Sequence, residues 1–260
     1  MKPALYAHRL GREYGPDSSA RALAGSLAAG VDGLETDVCL TADGELVLLH
    51  DPVLGLCTTL DGWAHERSAV DIITARLRDA SGKPTEEAPL TLDELLDATP
   101  SDLPVQVEVK AHADPALASR TAEAVCERYR QSPARRRIEV ISFHSSAAAT
   151  AAAHGFAARL VIHADYTPEA LAAWAVARGL TGVSVEHFLL SPRFASVMRL
   201  AGLSVNTGTI NDPQLLRRVV ELAGPDVVCT DRPGELRSEA LALSAGLPDG
   251  RMVSAAASAG

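Results

Sequence analysis

Glu35 and Asp37 stand two residues apart in Gly33-Leu34-Glu35-Thr36-Asp37-Val38, a segment whose alternation reads as a β-strand. Side chains two apart in a strand point to the same face. Both carboxylates therefore share one face, and Leu34, Thr36 and Val38 take the other. Two carboxylates held together away from water repel each other unless a proton or a cation intervenes. The segment Val105-Gln106-Val107-Glu108-Val109-Lys110 repeats the pattern and places Gln106, Glu108 and Lys110 on one face. Three carboxylates on neighbouring strands make a hard oxygen site suited to Mg²⁺ or Ca²⁺, whereas zinc would favour His or Cys. Taken alone, Glu-x-Lys also describes a surface ladder of ion pairs. Its weight here comes from the company of Glu35 and Asp37.

His8 closes one apolar run and His50 closes another. Two imidazoles flanking a metal site suit a general acid and a general base. Either histidine alone fits a structural role; convergence on the same acids makes the pair catalytic candidates. Arg9 and Lys110 add the positive charge that holds a phosphate.

These residues need a scaffold that brings distant strands to one place. Short apolar, β-branched runs occur at residues 4–7, 33–39, 105–110, 138–142, 159–162, 182–186, 203–206 and 226–230. Helical patterns follow at about 18–29, 91–98, 115–131, 145–154, 168–178, 191–201, 211–223 and 235–244, several opened by Thr91, Asp114-Pro115, Thr167-Pro168 or Asp212-Pro213. Eight β/α units in about 240 residues predict an α/β fold of the TIM (β/α)8 barrel type. A doubly wound open sheet would use fewer strands and a GxGxxG first turn, which the chain lacks. One run, residues 45–50, follows after only Thr41-Ala42-Asp43-Gly44, too short a link for a parallel crossover, so a short antiparallel return strand is expected. With Asp43-Gly44 as the tight turn, Asp37 faces His50; a register change of one or two residues puts Glu35 or its neighbour there instead. Residues 52–90, punctuated by Gly and Pro, read as a small loop-rich insertion covering one side of the barrel mouth. Residues 1–245 then form a single barrel domain and 246–260 a flexible C-terminal tail.

Composition closes off other classes. Of 260 residues, 47% are hydrophobic and 22% charged, which is globular and not disordered. The 33 acids exceed the 24 bases, giving a net charge of −9 that argues against nucleic acid as a partner. Arg135-Arg136-Arg137 reads as a solvated loop. Cys39, Cys57, Cys126 and Cys229 show no CxxC spacing, so reduced thiols are expected and neither a zinc nor a redox motif. No run of about 18 apolar residues occurs, and His8-Arg9 leaves no room for a signal peptide, which predicts a soluble, cytoplasmic protein without a membrane span. Aromatics are only 4%, so the core must come from Val, Leu, Ile and Ala.

His8-Arg9, Gly15-Pro16-Asp17-Ser18-Ser19, Gly33-Leu34-Glu35-Thr36-Asp37-Val38, Thr41-Ala42-Asp43-Gly44, His50-Asp51, Thr58-Thr59, Leu90-Thr91-Leu92, Glu108-Val109-Lys110 and Thr230-Asp231-Arg232-Pro233 run in that order along nearly the whole chain. Together they resemble the glycerophosphodiester phosphodiesterase family. The resemblance implies a TIM barrel holding a divalent cation, Mg²⁺ or Ca²⁺, on Glu35, Asp37 and Glu108, with His8 and His50 as acid and base and Arg9 and Lys110 on the phosphate. It implies hydrolysis of glycerophosphodiesters, small-molecule substrates, to an alcohol and glycerol 3-phosphate. Two alternatives are a lyase that stops at a cyclic phosphate and a barrel that binds phosphorylated ligands without turnover. The chain departs from the family pattern at Leu10, after His8-Arg9, and at Leu203-Ser204-Val205-Asn206, where a Trp is usual. Both departures are expected at C-terminal strand ends, near the mouth. With Tyr14, Trp63 and Phe188 as the mouth's aromatics, they predict that glycerophosphocholine is not the best substrate. His144, His163, Glu186, His187 and Asn206 are candidates for shaping the pocket.

Overall fold

A computed structural model of the protein describes residues 3–246. In chain order, β1 (Ala4–Ala7) leads through a 3₁₀ turn at His8–Leu10 to α1 (Ala20–Ala29), β2 (Gly33–Leu40) and β3 (Leu46–Leu48). After α2 (Leu54–Cys57), α3 (Ala69–Ile73) and α4 (Leu92–Ala98), strands and helices alternate. They are β4 (Val105–Val109), α5 (Pro115–Tyr129), β5 (Ile138–Ser142), α6 (Ser145–Ala153), β6 (Ala157–Ile162), α7 (Pro168–Ala177), β7 (Gly182–Glu186), α8 (Pro192–Leu200), β8 (Ser204–Gly208), α9 (Pro213–Ala223), β9 (Val227–Thr230) and α10 (Pro233–Gly246).

The strands pair in parallel around a closed ring, β1-β2-β4-β5-β6-β7-β8-β9 and back to β1. This is the TIM barrel anticipated from eight β/α units. Alternation along each strand decides its two faces. In β2, Leu34, Thr36 and Val38 turn outward and are fully buried under helices, while Glu35 and Asp37 turn inward. The outward layer is the core proper, with Leu34, Val107, Val140, Val183 and Val228 packed against helix residues such as Ala118, Ala147 and Leu216. The inward layer beneath the site is polar. Gln106 donates to Glu139 (2.7 Å), and Glu139 pairs with Arg159 (2.7 Å). The Tyr6 ring fills the space over Gly33, where any Cβ would collide with it. Side-chain caps fix the helix entries. Ser19 caps α1, Thr91 and Glu94 form a capping box on α4, Asp114 and Asp212 precede Pro115 and Pro213, and Ser191 caps α8. Thr167, which carried the same sequence signal, makes no side-chain cap.

β2 outgrows β1, pairing with it only at Gly33 and Leu34, which frees its later edge for antiparallel β3. The register differs from the expected one. Val38 faces Leu48, the Leu49 amide reaches the Asp37 carbonyl (3.2 Å), and His50 lies in the loop past the strand. The cause is the turn. Thr41 N–H bonds the Glu45 carbonyl and Gly44 N–H the Thr41 carbonyl, with Gly44 at φ 84°, so the loop has three residues ending in a left-handed glycine. A two-residue Asp43-Gly44 turn would have shifted every pair by one. The Thr41 hydroxyl accepts from Glu45 N–H and donates to Asp43, and Asp43 accepts from Ala69 N–H (3.0 Å), pinning the hairpin to the following segment.

That segment, 52–90, is more structured than its Gly and Pro content suggested. It holds two short helices, a 3₁₀ turn at Ala64–Glu66 and bridges such as Thr58 to Leu77, and it buries a satellite core of Leu54, Ala64, Ile72 and Leu77 against Cys39, Val47 and Leu49. The tail expected over 246–260 lies outside the described residues except for Gly246, which ends α10. No helix among the described residues is long and apolar enough to cross a membrane.

Candidate active site

Parallel strands of a barrel end on one rim, so inward side chains at their C-terminal ends converge. β2 and β4 are in register with Asp37 beside Glu108. Ligand oxygens of Glu35, Asp37 and Glu108 all lie within 4.8 Å of one another, and the three residues are 2%, 1% and 7% exposed. Glu35 Oε1 and Asp37 Oδ2 have no hydrogen-bond partner among the described residues. Lys110 Nζ sits 3.0 Å from Asp37 and 2.5 Å from Glu108, and Arg9 Nε is 3.7 Å from Asp37. Two cations thus face three carboxylates. Burial and the Asp37 charge push Glu35 up to about 7. Burial likewise raises Glu108, against the pull of Lys110. For Asp37 burial works the same way but Lys110 and Arg9 outweigh it, and its carboxyl is held at about 2. The ligand set, all carboxylate oxygen and short of positive charge, fits a hard divalent cation.

Arg9 and Leu10 have positive φ, 49° and 63°, a conformation that costs non-glycine residues about 1–3 kcal/mol each and gathers at functional sites. The turn aims Arg9 N–H at Glu35 Oε2 (2.8 Å) and brings the Arg9 guanidinium to Asp17 (2.7 Å). It also drives Leu10 into the core. Leu10 is fully buried and its carbonyl accepts the Ser26 hydroxyl (2.7 Å), so it adds no bulk at the mouth, contrary to expectation.

His8 Nδ1 is 2.7 Å from Asp231 Oδ1, and its Nε2 is 3.9 Å from Glu35. Burial works to lower the His8 pKa, but Glu35 and Asp231 together raise it. Asp231 in turn accepts from Asn211 Nδ2 (2.7 Å); burial works to raise its carboxyl, but the bond and charge of His8, with Asn211 and Arg12, together hold it below the usual carboxylate range. His50 Nδ1 is 3.2 Å from Asp51, whose carboxyl that bond lowers. Each imidazole thus has one nitrogen held by a carboxylate, the arrangement that fixes ring orientation and tautomer.

His8, Arg9, Glu35, His50, Glu108 and Lys110 line one cavity of about 290 Å³, with Asp37 directly behind them. Of the pocket candidates, Glu186 and Asn206 line this cavity, and His144 and His163 line an adjoining recess that also contains His50 and Lys110. His187 lines neither, although it follows Glu186 directly; its backbone bonds the Gly208 carbonyl. Ser204 is not at the mouth. It opens β8 at the opposite end of the strand, where its hydroxyl donates to Thr181, because β8 runs on to Gly208. Of the three aromatics placed there, Trp63 faces a side recess with His65 and His112, Phe188 is 68% exposed, and Tyr14 packs against Gly25 and Gly234 outside the barrel. The aromatic that does line the cavity is Phe143, just past β5, with Lys110 5.7 Å from its ring centre. The choline argument thus loses both Leu10 and Ser204. Sequence reasoning also gave no role to Asp17, Asp51, Asn211 or Asp231. Three of these, Asp17, Asp51 and Asp231, stood inside quoted motif strings, and the signal for Asp51 and Asp231 was adjacency to His50 and to Thr230 at a strand end.

The sequence profile of the Glycerophosphoryl diester phosphodiesterase family matches residues 8–235. A glycerophosphodiester phosphodiesterase of Caldanaerobacter subterraneus subsp. tengcongensis is 24% identical over 241 residues, 91% of this chain and 97% of the relative. A crystal structure of a glycerophosphodiester phosphodiesterase from Parabacteroides distasonis shares the fold at TM-score 0.78 and 22% identity, over 94% of this chain and 98% of that one. So does an Oleispira antarctica phosphodiesterase solved in complex with the product sn-glycerol-3-phosphate, at TM-score 0.78 and 24% identity over 91% and 96%. With its barrel and a profile match from His8 to Glu235, the chain belongs to the glycerophosphoryl diester phosphodiesterase family and is a phosphoric diester hydrolase.

Proposed function

We propose that this protein hydrolyses glycerophosphodiesters to an alcohol and glycerol 3-phosphate, using a divalent cation, Mg²⁺ or Ca²⁺, on Glu35, Asp37 and Glu108. The observation that carries the proposal is the buried carboxylate trio with orphaned oxygens, set beside two carboxylate-held imidazoles in one cavity. When bound there, the cation would supply Lewis-acid charge to stabilise the phosphoryl centre and to favour ionisation of the nucleophile.

The chain's own groups do the rest. Arg9 and Lys110 hold the phosphate at the acidic rim, where their charge offsets that of the diester. His8 and His50 serve as the acid and base pair, one removing the nucleophile's proton and the other delivering a proton to the leaving alkoxide. Asp231 positions His8, and Asn211 positions Asp231; Asp51 does the same for His50. Phosphorus NMR of a glycerophosphodiester incubated with the protein and Mg²⁺ or Ca²⁺ tests this reading. Accumulation of glycerol 3-phosphate is expected. A cyclic phosphate as the final product would make the protein a lyase, and an unchanged diester would leave it a binder.

A further inference from the structure

Across the barrel from the acids, the cavity presents polar atoms with nothing to bind. Asn206 is 1% exposed, and neither its Nδ2 nor its Oδ1 has a partner among the described residues; Ser184 Oγ is buried and equally unpartnered. The two residues are direct register neighbours on β7 and β8, both line the cavity, and in the ring those strands stand opposite β2 and β4. The lack of partners is local. One layer down, Gln106, Glu139 and Arg159 engage one another, and the Arg159 guanidinium also donates to the Ser204 carbonyl (3.2 Å). Buried polar groups are nearly always paired, because losing water without gaining a partner is unfavourable. Groups left unpaired on a cavity wall point to a ligand as the partner.

The chemistry of that ligand can be read from the wall. A primary amide offers donors and an acceptor side by side, and a serine hydroxyl is both. A phosphate only accepts, so the amide oxygen would oppose it, and a quaternary ammonium makes no hydrogen bond at all. Adjacent alcohol hydroxyls, each donor and acceptor, match the pair. Beside it the cavity wall is apolar, formed by Ile141, Val161 and Val185, and accommodates a short carbon chain.

We infer that Asn206 and Ser184 read the free hydroxyls of the glyceryl moiety, and so determine which side of the diester lies inside the barrel and which leaves from the mouth. The inference rests on the phosphodiesterase reading, from which it takes the placement of phosphate near Arg9 and Lys110. Both residues are specificity determinants and neither supports the fold.

Calorimetric binding of three monophosphates tests it: sn-glycerol 3-phosphate, 3-hydroxypropyl phosphate, which lacks the middle hydroxyl, and 2-hydroxypropyl phosphate, which lacks the terminal one. The wild-type protein should bind the first at least roughly tenfold more tightly than the others, since a site built to pair hydroxyls rejects analogues lacking them. Asn206→Ala and, as an independent variant, Ser184→Ala should each shrink that discrimination to about threefold or less. Their thermal midpoints should equal or exceed the wild-type value, a result a structural Asn or Ser would not give. Equal wild-type affinity for the three ligands, undiminished discrimination in both variants, or a lower midpoint in both would overturn the inference. Wild-type protein with bis(4-nitrophenyl) phosphate and Mg²⁺ or Ca²⁺ separates the two levels. Cleavage of that hydroxyl-free diester without ligand discrimination sinks the inference alone, whereas discrimination without cleavage of any diester sinks the phosphodiesterase reading and leaves the hydroxyl site standing.

Discussion

Each imidazole is held through one nitrogen by a carboxylate, which leaves the other nitrogen to handle a proton. His8→Ala and His50→Ala should each lower turnover by about two to four powers of ten, the usual contribution of a positioned acid or base, with thermal midpoints near wild type. Steady-state turnover and a melting curve on each variant check this; near-normal turnover would reassign that histidine to a structural role. Asp231→Asn keeps the shape of the His8 partner but removes its charge, and kcat should fall roughly 10- to 100-fold with KM little changed. An equal loss in KM would mean that Asp231 serves binding and not the orientation of His8. The three acids and Lys110 were legible as neighbours because each is charged and its spacing forces it onto a shared strand face, and His8, Arg9 and His50 because they are titratable or charged groups at the ends of apolar runs. Asn211, Asp231 and Phe143 were not, because what they do depends on contacts between strands far apart in the chain. Leu10 misled for a related reason: only the left-handed turn at Arg9 and Leu10 shows that its side chain goes into the core.

At the scale of elements, the eight strands were readable from their apolar β-branched runs, and most boundaries agree to within one or two residues. β8 is the instructive case. Its apolar run ends at Asn206, but Thr207 and Gly208 extend the pairing with β7, and the two extra residues put Ser204 far below the mouth. The hairpin register slipped because a three-residue loop with a left-handed Gly44 and a two-residue turn share nearly the same letters. Element contacts also carry their own predictions. Gly33→Ala should destabilise the barrel by about 1–3 kcal/mol, since the new Cβ collides with the Tyr6 ring; an unchanged denaturation midpoint would show that ring to be free to move. Asp93 in the first turn of α4 accepts from Arg128 (2.9 Å) and Tyr129 (2.5 Å) at the end of α5, and the Arg128 bond holds its carboxyl below the usual value. A lowered carboxyl stabilises the fold above the ordinary aspartate pKa of about 3.9, and that contribution fades as pH falls through the folded-state value. Asp93→Asn should therefore be less stable than wild type near neutrality, with the gap narrowing in urea titrations below roughly pH 4. A gap independent of pH would contradict the ion pair as its cause.

For the whole molecule, the barrel separates fold from chemistry. Helix-facing Val, Leu and Ala hold the ring together, while the inward faces are given over to a polar plug below and the reactive cluster above. The insertion, which composition marked only as loop, has its own small core because β3 and the far end of β2 offer it Val47, Leu49 and Cys39 to pack on. It flanks the mouth, with Leu56, Cys57 and Leu77 lining a groove that opens beside His50. The central claim concerns the three acids, and holds that a divalent cation joins Lys110 and Arg9 in balancing their buried charge. The most direct test is activity on a glycerophosphodiester after exhaustive chelation, followed by titration of Mg²⁺ or Ca²⁺ with elemental analysis at each step, on wild-type protein and on Asp37→Asn. The account predicts no turnover without metal, recovery that saturates at one bound ion per chain, and neither binding nor recovery in the variant. Full glycerol 3-phosphate release by a preparation shown to contain no metal would contradict it.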